Sequence, residues 1–131
     1  MTTRKNNQNL SKGESRGHLK VRRILNEADF TFVEEKQYAN LLTSTGRPLR
    51  FDFMVYDEDG QEDFAIEFNG IQHYEPVPFF GGQKAFSRQQ YNDNRKREYC
   101  RSQGITLVEI PYTDLEIFDI GYIMKKAYPF L

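Results

Sequence analysis

The clearest pattern along the chain is an alternation of apolar and polar residues over Leu49–Tyr56 (LRFDFMVY). Leu49, Phe51, Phe53 and Val55 alternate there with Arg50, Asp52, Met54 and Tyr56, which predicts a strand with Asp52 on the face opposite the apolar set. Asp57–Gly60 (DEDG) is turn chemistry, and Phe64–Phe68 (FAIEF) is a compact apolar return strand. Together they predict an antiparallel hairpin. Upstream, Leu19, Val21, Ile24, Leu25 and Ala28 recur near helical spacing, so a helix is expected to begin at Ser11 or Gly13. Phe30, Phe32 and Val33 open a short strand, Tyr38–Leu42 is a second strand or a loop, and Thr43–Pro48 is a turn.

Downstream of the hairpin, residues 69–84 form a long loop rich in Gly, Pro and aromatics, of the kind that often carries function. A polar helix is expected over residues 85–103, closed by Gly104. Ile105–Ile110 (ITLVEI) reads as a buried strand, and a last helix is expected over residues 114–127. Residues 1–12 read as a disordered basic tail and residues 13–131 as a single domain. The order helix, strands, helix, strand, helix predicts an α/β sandwich around a mixed sheet.

Composition narrows the class. The chain has 131 residues, 38% hydrophobic and 28% charged, with no apolar run near the ~20 residues of a membrane span. It has one cysteine, Cys100, and two histidines, which argue against a disulfide or a cysteine-based zinc site. A reducing compartment and a cytoplasmic location are expected. The net charge of −1 is unremarkable, but its distribution is uneven. Residues 1–28 carry seven Lys/Arg against two acids, residues 84–101 six against two, and residues 29–83 three against eleven. Two basic segments flank an acidic centre, as suits a protein holding phosphates and a metal, though solvated faces give the same pattern.

Asp52 and Glu67 are the acids that bear chemistry. Carboxylates embedded in apolar strands are costly unless paired, hydrogen-bonded or bound to metal. A hairpin can bring both to one edge, where Mg²⁺ takes one or two carboxylates plus waters and phosphate oxygens. Either acid alone fits equally well on the solvent face of an ordinary strand. His73 follows Glu67 by six residues and can move a proton near neutral pH.

The runs RPLRFDF, AIEFNGIQHYEPV, YNDNRKREYC and GITLVEIPY resemble the PD-(D/E)xK superfamily of nucleases. The likeness covers roughly residues 11–113. It is greatest to the branch of the very-short-patch mismatch-repair endonuclease and the EDxHD homing endonucleases, which has small phage proteins nearby. The resemblance implies a restriction-endonuclease-like three-layer sandwich, with a mixed central β-sheet flanked by helices. It further implies a Mg²⁺-dependent endonuclease acting on double-stranded DNA, with Mn²⁺ as a substitute ion. Asp52, Glu67, Glu14 and Asp93 then match metal-binding acids, and Asp52, Glu67, His73, Gln72 and Lys96 form the catalytic set. Arg88, Arg95, Arg97 and Lys20 are the expected phosphate contacts. Cutting both strands calls for a homodimer, and sequence specificity for a partner. The chain departs from the pattern in two places: Phe51, not proline, precedes Asp52, and Asn69 stands where the motif has lysine. The second departure leaves the lysine's work to His73, Gln72 or Lys96. It also fits an alternative, a catalytically silent DNA-binding or assembly module of the same fold.

Overall fold

In the computed structural model, which describes residues 15–130, four strands form one mixed sheet in the order β1-β2-β3-β4. The strands are β1 (Thr31–Leu42), β2 (Pro48–Tyr56), β3 (Glu62–Asn69) and β4 (Thr106–Pro111). β1, β2 and β3 are antiparallel neighbours, and β4 joins β3 in parallel. The parallel join requires a crossover, which α2 (Gly82–Gln103) supplies. α1 (Arg16–Glu27) precedes the sheet and α3 (Ile120–Ala127) follows it. The expected tail, residues 1–12, and Glu14 lie outside the described residues.

Two apolar clusters define three layers. Val21, Ile24 and Leu25 of α1 and Ile123 and Ala127 of α3 pack on Phe53, Val55, Phe64, Ile66, Val108 and Ile110. On the opposite face, Cys100 of α2 packs with Leu41, Leu49, Phe51, Met54, Ala65 and Ile105. The sheet thus has helices on both faces, as the alternation of elements predicts. No helix among the described residues is long and apolar enough to cross a membrane.

Several expected boundaries move. α1 starts at Arg16, later than expected, because Ser15 is extended and its Oγ accepts the His18 N–H at 3.1 Å as an N-cap. β1 is one twelve-residue strand rather than two short pieces. α2 begins at Gly82, earlier than residue 85, behind a left-handed Gly81. It ends as expected at Gly104, whose φ of 71° favours glycine. The final helix is shorter than residues 114–127, since Tyr112–Asp114 is a single 3₁₀ turn and Asp119 caps α3. The loop after β3 carries two more such turns, Ile71–His73 and Pro78–Phe80.

A further correction concerns Asp52. Leu49, Phe51, Phe53 and Val55 do not share a face: the first two lie in the α2 cluster and the last two in the α1/α3 cluster. The exchange occurs at Asp52. Its neighbour across β1, bracketed by the pairs Glu34↔Phe53 and Lys36↔Phe51, is Glu35, whose φ of 55° is left-handed. Such a backbone is unusual for a residue with a side chain, and the ladder is interrupted there. On the other side, the β2–β3 pairing runs through Phe53↔Ile66 and goes no further toward Asp52 and Glu67.

Candidate active site

Where the β2–β3 ladder stops, carboxylates take over from the backbone. The Asp52 N–H donates to Glu67 Oε2 at 2.6 Å, and the Phe68 N–H donates to Asp52 Oδ2 at 2.9 Å. Each acid is therefore held by the neighbouring strand. In the same row across the sheet, Glu67 faces Glu109 of β4 and Asp52 faces Glu35 of β1. Four acids from four strands thus occupy one row across the sheet, Asp52 and Glu67 on the two central strands and Glu35 and Glu109 on the outer ones.

Such a row needs compensating charge, and α2 provides much of it. Lys96 Nζ donates to Glu67 Oε1 at 2.6 Å, with both side chains nearly buried. Arg97 grips Glu109 with Nε and one terminal nitrogen, at 2.8 and 2.9 Å. Asn69, also buried, adds its amide to Glu109 at 3.2 Å. Burial, and then the charge of Asp52, push the Glu67 carboxyl well above its ordinary value, with Lys96 pulling the other way. A carboxyl so placed is of the type often found at functional sites.

His73 stands apart from this pair but is itself oriented. Its Nδ1 meets Asp93 Oδ2 at 3.0 Å, and Gln89 Nε2 donates to Asp93 Oδ1 at 2.9 Å. Burial alone raises the Asp93 carboxyl, but the hydrogen bond from His73 and its charge outweigh burial and hold it below the ordinary value. His73 Nε2 is left without a hydrogen-bond partner among the described residues.

The expected residues thus fall into groups. Asp52, Glu67 and Lys96 are joined, and His73 and Asp93 are joined, with α2 carrying Asp93 one turn before Lys96. Gln72 is exposed and curls over Gly70, touching neither strand acid. Of the expected phosphate contacts, Arg88 is exposed, whereas Arg97 is engaged with Glu109. Arg95 donates to the Leu42 carbonyl at 3.1 Å, and Lys20 to the Leu115 carbonyl at 2.7 Å.

Residues not anticipated from the sequence complete the surroundings. His18 of α1 lies beside Asp52 and Glu35, with one ligand atom from each within 4.8 Å of the others. Its Nε2 is 3.2 Å from Glu34 Oε1, and Arg22 holds Glu34 through two bonds of 2.8 Å. The readable signals were the adjacent acids Glu34 and Glu35 and one of only two histidines, His18, on the first helix. Glu109 was hidden in the apolar run ITLVEI.

No family model matches the chain, and no solved structure matches it. It is similar to three viral proteins. It is 47% identical over 66 residues to uncharacterized protein 307L of Invertebrate iridescent virus 6, covering 50% of this chain and 32% of the relative. It is 36% identical over 111 residues to uncharacterized protein 033L of Invertebrate iridescent virus 3, covering 82% and 54%. It is 37% identical over 117 residues to uncharacterized protein 094L of Frog virus 3, covering 88% and 70%. The chain therefore spans about a third and about half the length of the two invertebrate-virus relatives.

Proposed function

This chain belongs to the same protein family as protein 094L of Frog virus 3, and we propose that it is a metal-dependent endonuclease of the restriction-endonuclease-like fold, hydrolysing phosphodiester bonds of double-stranded DNA. One observation carries the reading: Asp52 and Glu67, on adjacent strands, are tied to one another's backbone while Lys96 reaches across from α2 to Glu67. Two strand acids and a lysine are the chemical content of the PD-(D/E)xK motif. Here the lysine comes from the helix, and Asn69 holds the strand position.

The residues suit a Mg²⁺-class ion. Hard divalent cations take carboxylate oxygens and keep several waters. Asp52 Oδ1 has no hydrogen-bond donor among the described residues, so it is the oxygen with most to offer. Both Glu67 oxygens already accept hydrogen bonds, which makes Glu67 the weaker ligand. When bound, such an ion offsets negative charge that develops on the phosphate. Lys96 opposes the rise of the buried Glu67 carboxyl and presents a cation at the same place. His73, its Nδ1 held by Asp93, keeps Nε2 to take or give a proton.

The test is nicking or linearisation of supercoiled plasmid in Mg²⁺ or Mn²⁺, against Asp52→Ala and with RNA in parallel. Wild-type cleavage that chelation stops and Asp52→Ala abolishes is the expected result. Cleavage surviving Asp52→Ala removes the assignment. The buried Asn69, spent on Glu109, favours a second reading, a DNA-binding or assembly module without activity. DNA binding with no cleavage in either ion establishes that reading instead.

A further inference from the structure

Asp52 has a second set of neighbours on the side of α1. His18, Glu35 and Asp52 each offer one ligand atom, and these lie within 4.8 Å of one another. His18 Nε2 is 3.9 Å from Glu35 Oε2, and only 12% of its side chain is exposed. The charges around the imidazole do not balance. Glu34 is matched by Arg22 at 2.8 Å. Besides His18, Glu35 has among the described residues Arg50, 4.0 Å away with a side chain 57% exposed, where solvent screens the pair. Asp52 has no Lys or Arg partner among the described residues, and Lys96 is spent on Glu67. Two carboxylates without a close Lys or Arg among the described residues therefore stand beside a nitrogen donor, where the backbone leaves the regular ladder.

We propose that His18, Glu35 and Asp52 form a mixed nitrogen–oxygen site that takes a Mn²⁺-class divalent cation in preference to Mg²⁺. Imidazole suits first-row transition ions, whereas Mg²⁺ demands near-ideal octahedral oxygen coordination. Bonds of ~2.1 Å allow ligand atoms to stand at most ~4.2 Å apart across an ion. Small side-chain rotations close the remaining gap. His18 exchanges its contact with Glu34 for the ion, and Glu34 keeps Arg22. The inference deepens the nuclease reading and rests on it only in treating Asp52 as the ion's anchor.

The experiment is a Mn²⁺ titration of the full chain, read by loss of the electron-paramagnetic-resonance signal of free Mn²⁺, then competed with excess Mg²⁺. A single Mn²⁺ per chain that Mg²⁺ displaces poorly is expected. His18→Ala and Glu35→Gln weaken it about tenfold or more, with circular dichroism reporting the fold. Should His18→Ala fail to fold, His18→Gln, which can still meet Glu34, replaces it. No binding below millimolar Mn²⁺, easy displacement by Mg²⁺, or wild-type affinity in both folded variants overturns the proposal. Tight Mn²⁺ binding that depends on His18 upholds it even where no DNA is cut, a result that sinks the nuclease reading alone. Cleavage lost in Asp52→Ala with Mn²⁺ affinity unchanged in the His18 and Glu35 variants does the reverse.

Discussion

Lys96 Nζ lies 2.6 Å from Glu67 Oε1, and the two side chains are only 12% and 6% exposed. Removing one partner of a buried pair leaves the other charge uncompensated, at a cost of about 3–5 kcal/mol. Lys96→Met should therefore lower the urea midpoint strongly, and adding Glu67→Gln should recover much of the loss. The pH dependence has a definite sign. The folded Glu67 carboxyl sits above its ordinary value, so the folded chain binds a proton that the unfolded chain has released. That contribution is fully present below the unfolded value and is lost as pH rises through the folded one. Without Lys96 the folded value climbs further. The gap between Lys96→Met and wild type should then widen as pH rises from the acid range to neutrality. A pH-independent gap would contradict the pairing.

Gly17 makes a prediction of a different kind. A Cβ at this α1 position would stand 2.3 Å from the Phe68 ring. Phe68 follows Glu67, and its N–H holds Asp52. Gly17→Ala must push the helix or the ring aside, and overpacking of this sort costs about 1–3 kcal/mol. Helix propensity alone favours alanine over glycine by about 1 kcal/mol, so the two readings differ in sign. A urea denaturation series decides between them.

These residues mark where the chain was legible. The hairpin of β2 and β3 was readable because two apolar-rich runs flank an acidic Gly-containing turn, and the stop of α2 because a glycine, Gly104, follows its last polar turn. The continuity of β1 was not, because Glu34, Glu35, Lys36 and Gln37 look like a loop when their pairing strand is unknown. Nor was the exchange of faces at Asp52, which depends on a left-handed Glu35 that no local signal requires. Asp52 and Glu67 could be nominated from type and spacing, and Lys96 from the family resemblance. The row they form with Glu35 and Glu109 depends on strand order, a long-range property. The helical stripe read in α1 concerned its apolar residues, so His18 passed unnoticed among the cations beside it.

Cys100 lies in the α2 cluster, 2% exposed. Burial first, and the nearby Glu67 charge second, push its thiol up to about 12. The thiolate is the reactive form, so the native chain at pH 8 should resist a disulfide reagent such as dithiobisnitrobenzoate. Full reaction should follow on unfolding in urea. Rapid labelling of the native chain at pH 8 would show that α2 opens readily over the sheet.

The pair His73–Asp93 supplies the last prediction, under the nuclease reading. Proton transfer by a positioned side chain contributes about 10²–10⁴-fold, so His73→Ala should cut the cleavage rate by about 10² or more. Asp93 reaches the reaction only through His73 Nδ1, at 3.0 Å. It also holds Gln89 and has its carboxyl kept below the ordinary value, chiefly by the His73 contact working against burial. Asp93→Asn preserves the shape but removes the carboxylate that meets His73 Nδ1. Its effect should be smaller than that of His73→Ala, because the imidazole itself remains in place. Adding Asp93→Asn to His73→Ala should cost almost nothing more, as residues acting as one unit are not additive. Measured rates that multiply in the double variant would mean that Asp93 acts elsewhere, with a metal or a phosphate, and not through the imidazole.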